Sequence, residues 1–159
     1  MILVAQTAGV LFLALWLTTG LYENLFFSSL NSTFTAEVLD MSRMRLDYPE
    51  AYEQVAYRRI ASPRAQLFLF RLIVGWELLA TLALWLGVGF MVAAVLGAAA
   101  PDTAKAFGLL GVLLFTATWA GFLIVGNWFC YWFCHEGAQN THYQMTLWGI
   151  GTMILLVAA

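Results

Sequence analysis

The sequence predicts an all-α, polytopic membrane protein, a bundle of four transmembrane helices with a helical first loop. Three observations carry this reading. Hydrophobic residues make up 62% of the 159 and charged residues only 10%, whereas a soluble domain is about half apolar and about a quarter charged. Ten of the sixteen Asp, Glu, Lys and Arg residues crowd between Glu37 and Arg64. The rest of the chain is long apolar runs, each near or above the roughly 20 residues that cross a ~30 Å hydrocarbon layer. A chain of this length makes one integral membrane domain, residues 1–159.

The first span is expected over residues 2–26. It has no basic n-region and no A-x-A-like site after its apolar run, so a cleavable signal peptide is not expected. A polar loop follows over residues 28–65. Within it Val38, Leu39, Met41 and Leu46 stand among Glu37, Asp40 and Arg43, and Tyr52, Val55, Ala56 and Ile60 recur at helical spacing. Two short amphipathic helices are therefore expected there, separated by Asp47-Tyr48-Pro49. Ser62 as N-cap and Pro63 at the first helical position start the second span, over about 66–98. Ala100-Pro101-Asp102 stops it, and the third span runs over about 105–134. Gly137 to Asn140 is expected to turn, and residues 141–158 form the fourth span.

Four crossings put almost every awkward polar residue toward one side of the membrane, that of the long loop. Glu23 and Asn24 end the first span, and Arg71 and Glu77 lie in the near third of the second. Asn127, His135 and Glu136 end the third, and His142 opens the fourth. These eight residues are the candidates for a ligand or partner site. Glu77 is the informative one, because an ionised group at helix centre costs about 2.5–3.5 kcal/mol on insertion scales. Arg71 and Glu77 point to different helix faces, so Arg71 is expected to snorkel and Glu77 to face inward, near Glu23, Asn24 or Asn127. A purely structural role for Glu77, protonated or paired, stays open beside a binding one.

The stretch NWFCYWFCHEGAQNTH, Asn127 to His142, holds both cysteines and both histidines. Its C-x-x-x-C-H is one residue longer than a c-type haem attachment site, and its aromatic collar is that of a membrane interface. Cys130, Cys134, His135 and His142 are the residue types of a zinc or copper site, but no second motif reinforces that reading. No metal and no cofactor is expected. Cys130 and Cys134, at i and i+4, are expected to share one helical face. No nucleophile–base pair, phosphate loop or basic tail is present, so neither an enzyme nor a nucleic-acid binder is indicated.

Around the second span, Arg58, Ile60, Ser62 and Pro63 followed by Trp76-Glu77 form R-x-I-x-S-P…W-E. Gly126, Trp128, Phe129 and Trp132 form G-x-W-F-x-x-W at the end of the third. With Asn24 and the run Val38, Leu39 and Met41, these resemble a bacterial family of predicted small integral membrane proteins catalogued as a domain of unknown function. The resemblance implies four membrane helices, a long first loop and no assigned chemistry. The chain departs from it after Trp132, where the family tends to Ser, Gln and Trp-Asn and this sequence has Phe133, Cys134, His135, Glu136 and Gly137.

Six arginines on the loop side against Lys105 opposite would place the loop in the cytoplasm by the positive-inside rule. The family's basic second turn implies the reverse. With Met1 starting directly in a span, a periplasmic loop is expected. The 25 Phe, Trp and Tyr residues exceed what four small helices bury, and aromatic anchors are enriched where proteins meet. With Arg43, Arg45, Arg58 and Arg59 offered to acidic groups, they point to an accessory or assembly subunit of a larger respiratory or photosynthetic complex in the bacterial inner membrane. Lipids would cover the rest, and a homo-oligomer is compatible. The alternative is a stand-alone binder or carrier of a small ligand, lipid or proton around Glu77.

Overall fold

Small residues let the long helices of this protein come close. In the computed structural model, which describes residues 1–158, helix α1 spans Ile2–Phe26, α5 Pro63–Val95, α6 Pro101–Trp128 and α7 Glu136–Val157. Three short helices, α2 (Ser29–Asp40), α3 (Ser42–Asp47) and α4 (Pro49–Val55), with a 3₁₀ turn at Ala56–Arg58, fill the first loop. No strand occurs among the described residues. A Cβ on Gly87 would sit 2.9 Å from the Gly108 Cα, and one on Gly111 would sit 2.8 Å from the Leu84 Cα. Backbone thus meets backbone, which is how apolar helices associate where lipid offers no hydrophobic drive. Helix α6 then packs on α7, while α1 lies against α5, α6 and α7. Leu13, Leu17, Leu84, Met91, Val112, Phe115 and Leu156 fill the centre.

Helices α1, α5 and α6 are each long and apolar enough to cross a membrane. Helix α7 has 22 residues, but Gln139, Asn140, His142 and Gln144 dilute its first turns. Its far end is tied down by Gln6, fully buried on α1, whose Nε2 donates to the Leu155 carbonyl at 2.9 Å. That carbonyl belongs to the last turn, where helix acceptors lack intrahelical partners.

The element boundaries differ from the sequence expectation in three places. The loop holds three helices rather than two, because Met41 takes a left-handed conformation (φ 52°) and breaks the first amphipathic segment. The third long helix stops at Trp128, not near 134. Cys130 is left-handed as well (φ 52°), and Tyr131–Phe133 form a 3₁₀ turn. Cys130 and Cys134 therefore do not share a helical face. The break is favoured by Gly126, whose missing Cβ leaves room for the Tyr131 ring, 2.7 Å from where that Cβ would lie. Finally, Gly137 to Asn140 is not a turn but the first part of α7.

The loop is fastened to this corner. Ile60 N–H donates to the Leu39 carbonyl at 2.9 Å, and Gln66 Nε2 to the Ile60 carbonyl at 2.7 Å. Leu39, Met41, Met44, Phe129 and Cys130 form a second small core, so both left-handed residues are repaid by burial. Arg43 pairs with Glu37 at 2.9 Å, and Asp40 with Arg59 at 2.7 Å and Arg45 at 3.6 Å. Arg58 lies over the Trp128 ring at 4.8 Å and donates to the Trp128 carbonyl at 3.3 Å. The four arginines offered to a neighbour by the sequence reading are thus engaged within the chain.

Candidate functional site

Glu77 is 5% exposed, deep in α5, as the insertion cost of a lipid-facing carboxyl group requires. Its Oε2 accepts from Asn24 Nδ2 at 2.6 Å, and Asn24 Oδ1 accepts from Asn31 Nδ2 at 2.7 Å. A hydrogen-bonded row thus runs from the first loop helix, α2, through the end of α1 to the middle of α5. The neighbouring Trp76 turns the other way and donates to Thr118 on α6 at 3.0 Å. The Trp-Glu pair therefore ties α5 to α6 with one residue and to α1 with the next.

Beside Glu77 is a cavity of about 420 Å³, within the range of small-ligand sites. Helix α2 roofs it with Asn31, Phe34 and Val38, and the ends of α1, α5, α6 and α7 form its walls. The side chains of Trp119, Tyr131 and His142 line it, and each carries a buried polar atom with no hydrogen-bond partner: Trp119 Nε1, Tyr131 Oη and His142 Nδ1. His142 is packed by rings, 4.9 Å from Phe122, 5.6 Å from Trp119 and 6.1 Å from Tyr131 between centroids. A buried polar atom without a partner is costly and is rarely left so, save where water or a ligand completes it. Three such atoms belong to residues that line this one cavity.

Of the residues expected from sequence, Glu23, Asn24, Glu77 and His142 come together on this cavity. Arg71 and Asn127 are both exposed, and neither lines the cavity. Asn127 falls on the outer face of α6 in its last turn, so it does not approach Glu77. Glu136 is exposed in the first turn of α7, where its charge suits the helix N-terminus. His135 is buried, but against Phe34, ring centroids 4.8 Å apart, and outside the cavity lining. No group of three or more His, Cys, Asp or Glu among the described residues is placed to hold a metal. The set Cys130, Cys134, His135 and His142 is split between the corner and the cavity wall. Burial, with Asp47 adding to it, pushes the Cys134 thiol above its ordinary range, away from the thiolate a metal would need.

The sequence profile of the family described as "Predicted small integral membrane protein (DUF2165)" matches residues 2–159. The chain belongs to that family. No curated protein and no solved structure matches it. In this DUF2165 protein the residues that carried the resemblance meet at the corner. Arg58 lies on Trp128, Ile60 bonds to Leu39, Ser62 caps α5 by accepting from Ala65 N–H at 3.4 Å, and Gly126 admits Tyr131. They hold the loop over the cavity that the DUF2165 chain builds from Asn24 and Glu77.

Sequence reasoning missed Trp119 and Tyr131 as cavity residues, and Gln6 altogether. The glutamine at position 6 of an apolar span was a readable signal, since an amide there seeks a partner inside the bundle; its Nε2 finds the Leu155 carbonyl, while its Oε1 has no partner.

The corner also sets an acid response. Burial holds the His135 imidazole below its ordinary pKa, Arg43 acts in the same direction, and Glu37 opposes them. A base with a lowered folded pKa takes up its proton more readily when unfolded. His135 therefore costs no stability above about pH 6.5, the ordinary histidine value, and costs progressively more as pH falls through it. Thermal midpoints measured from pH 8 to pH 5 should fall less in His135→Phe than in the wild type. Equal slopes would show that His135 does not set this response.

Proposed function

We propose that the protein is a non-catalytic, multi-pass protein of the bacterial inner membrane that crosses the bilayer four times and holds a small ligand in the cavity around Glu77. The observation that carries the reading is the cavity itself, lined by the buried carboxyl group of Glu77 and by Trp119, Tyr131 and His142, each of which has a buried polar atom without a partner in the chain. A fourth crossing by α7 is supported by its packing along α6 and by the Gln6 bond at its far end. Gly20 provides the test. It lines the cavity, and a Cβ placed on it meets nothing within 4 Å, so Gly20→Phe fills the space without a clash at the backbone. Native mass measurement after the mildest detergent extraction should find a small-molecule adduct on the wild type, reduced at least tenfold in Gly20→Phe. A bare wild-type mass would sink the reading.

A second reading, an accessory or assembly subunit of a larger respiratory or photosynthetic complex, is favoured by the aromatic residues exposed at the loop end. Phe26, Phe27, Tyr57 and Trp128 are each more than half exposed there. The same measurement tests it, because a species of this chain alone or a simple homo-oligomer counts against it.

A further inference from the structure

The cavity around Glu77 does not end at α5. A groove of about 550 Å³ lies between α5 and α6 and is walled by Leu69, Leu72, Trp76, Ala117 and Gly121. It shares Thr35, Leu39, Ile73, Phe122, Val125 and Phe129 with the cavity, so the two adjoin. Their chemistry differs sharply. In the groove, the Trp76 indole N–H is already donated to the Thr118 hydroxyl, which itself donates to the Leu114 carbonyl. Little is left there for a polar occupant, whereas Tyr131, in the cavity lining, has a buried Oη without a partner.

The charge of the lining narrows the occupant further. Glu23 and Glu77 line the cavity and no Lys or Arg does. A phosphate head would meet the buried Glu77 carboxyl group, with the exposed Glu23 at the edge, and no cation, which is an unfavourable arrangement. A neutral head meets no such penalty. The Trp119 N–H and Tyr131 O–H can donate to carbonyl or hydroxyl oxygens, and Glu77 can accept from a hydroxyl. The rings of Trp119, Phe122, Tyr131 and His142 offer faces and edges to a flat aromatic body.

We propose that the ligand is a neutral amphiphile of the quinone or quinol class, its oxygenated aromatic head among Glu77, Trp119, Tyr131 and His142 and its apolar chain in the α5–α6 groove. This rests on the cavity reading above and adds the ligand's class and the place of its chain.

Gly121 separates the two claims. It lines the groove but not the cavity, and a Cβ there meets nothing within 4 Å. Gly121→Leu therefore blocks the chain's path and leaves the head site intact. The probes are a decyl-substituted dimethoxy-methyl-benzoquinone, the same quinone without the decyl chain, and decyl phosphate, each titrated against protein in neutral-lipid nanodiscs by quenching of tryptophan fluorescence. The decyl quinone should bind saturably, and Gly121→Leu should weaken it at least tenfold while leaving the chainless quinone unchanged. Tyr131→Phe should weaken both quinones, and decyl phosphate should not compete. Decyl phosphate binding as well as the quinone would overturn the assignment, as would indifference of the decyl quinone to Gly121→Leu. If the chainless quinone binds and depends on Tyr131 while Gly121→Leu changes nothing, the amphiphile is wrong and the cavity reading stands. If no quinone binds, the quinone class is wrong, and the adduct found by native mass measurement decides the cavity by itself.

Discussion

Gly111→Val will force α5 and α6 apart. The Cβ would stand 2.8 Å from the Leu84 Cα and 2.9 Å from the Leu84 nitrogen, atoms that cannot swing aside as a side-chain end could. Gly87→Val meets the same obstacle from the other helix, at the Gly108 Cα and, 3.0 Å away, the Phe107 carbonyl oxygen. Overpacking of this kind costs typically about 1–3 kcal/mol, and both substitutions should reach the upper end because helix backbone is what must yield. Gly75→Val is the control, since a Cβ there meets nothing within 4 Å. Unfolding in mixed micelles at rising denaturing-detergent fraction will rank them: Gly111→Val and Gly87→Val strongly destabilised, Gly75→Val near wild type. A wild-type midpoint for Gly111→Val would mean that the helices do not approach this closely.

The next largest effect is expected at Asn24. Asn24→Leu removes both the donor to Glu77 and the acceptor for Asn31. Each buried polar group left without a partner costs about 1–3 kcal/mol. Glu77→Leu strands the Asn24 amide in turn. Once Glu77 is already Leu, Asn24→Leu no longer strands a carboxyl group and should cost clearly less than it does in the wild type. A double-mutant cycle should therefore give a coupling within the ~0.5–3 kcal/mol seen for contacting groups. Strict additivity of the two single substitutions would show that this hydrogen bond does not join α1 to α5.

How far the sequence carried is best seen at particular residues. The placement of Glu77 was legible because a carboxyl group in lipid is so costly that it has essentially one direction to face. Ser62 and Pro63 marked the start of α5 because capping is local chemistry, complete within four residues. The end of α6 was not legible. Trp128, Phe129, Tyr131 and Trp132 suit a membrane helix well, and the break depends on the Tyr131 ring folding back over Gly126, a contact that periodicity does not record. The cavity was half legible. Its polar residues stood out among apolar neighbours, whereas Tyr131 read as interfacial collar and Trp119 as bundle packing, since a pattern of faces says which residues point inward and nothing about whether space is left between them. The ion pairs of the loop were not legible for a related reason: Arg43, Arg45 and Arg59 meet Glu37 and Asp40 of the same loop, and only its fold brings them together.

The attachment of the loop to the corner has a consequence for how the protein is made. Arg58 and the Trp128 carbonyl that it holds are 70 residues apart in the chain. At about 5–20 residues per second, a ribosome needs on the order of 4–14 s to produce that interval. Until then α2 has no Phe129 or Cys130 to rest on, and the wall residues Tyr131 and His142 do not yet exist. The newborn protein therefore spends seconds with its first two long helices made and the cavity wall incomplete. In that interval Asn24, already synthesised, is the hydrogen-bond partner that the finished fold gives Glu77.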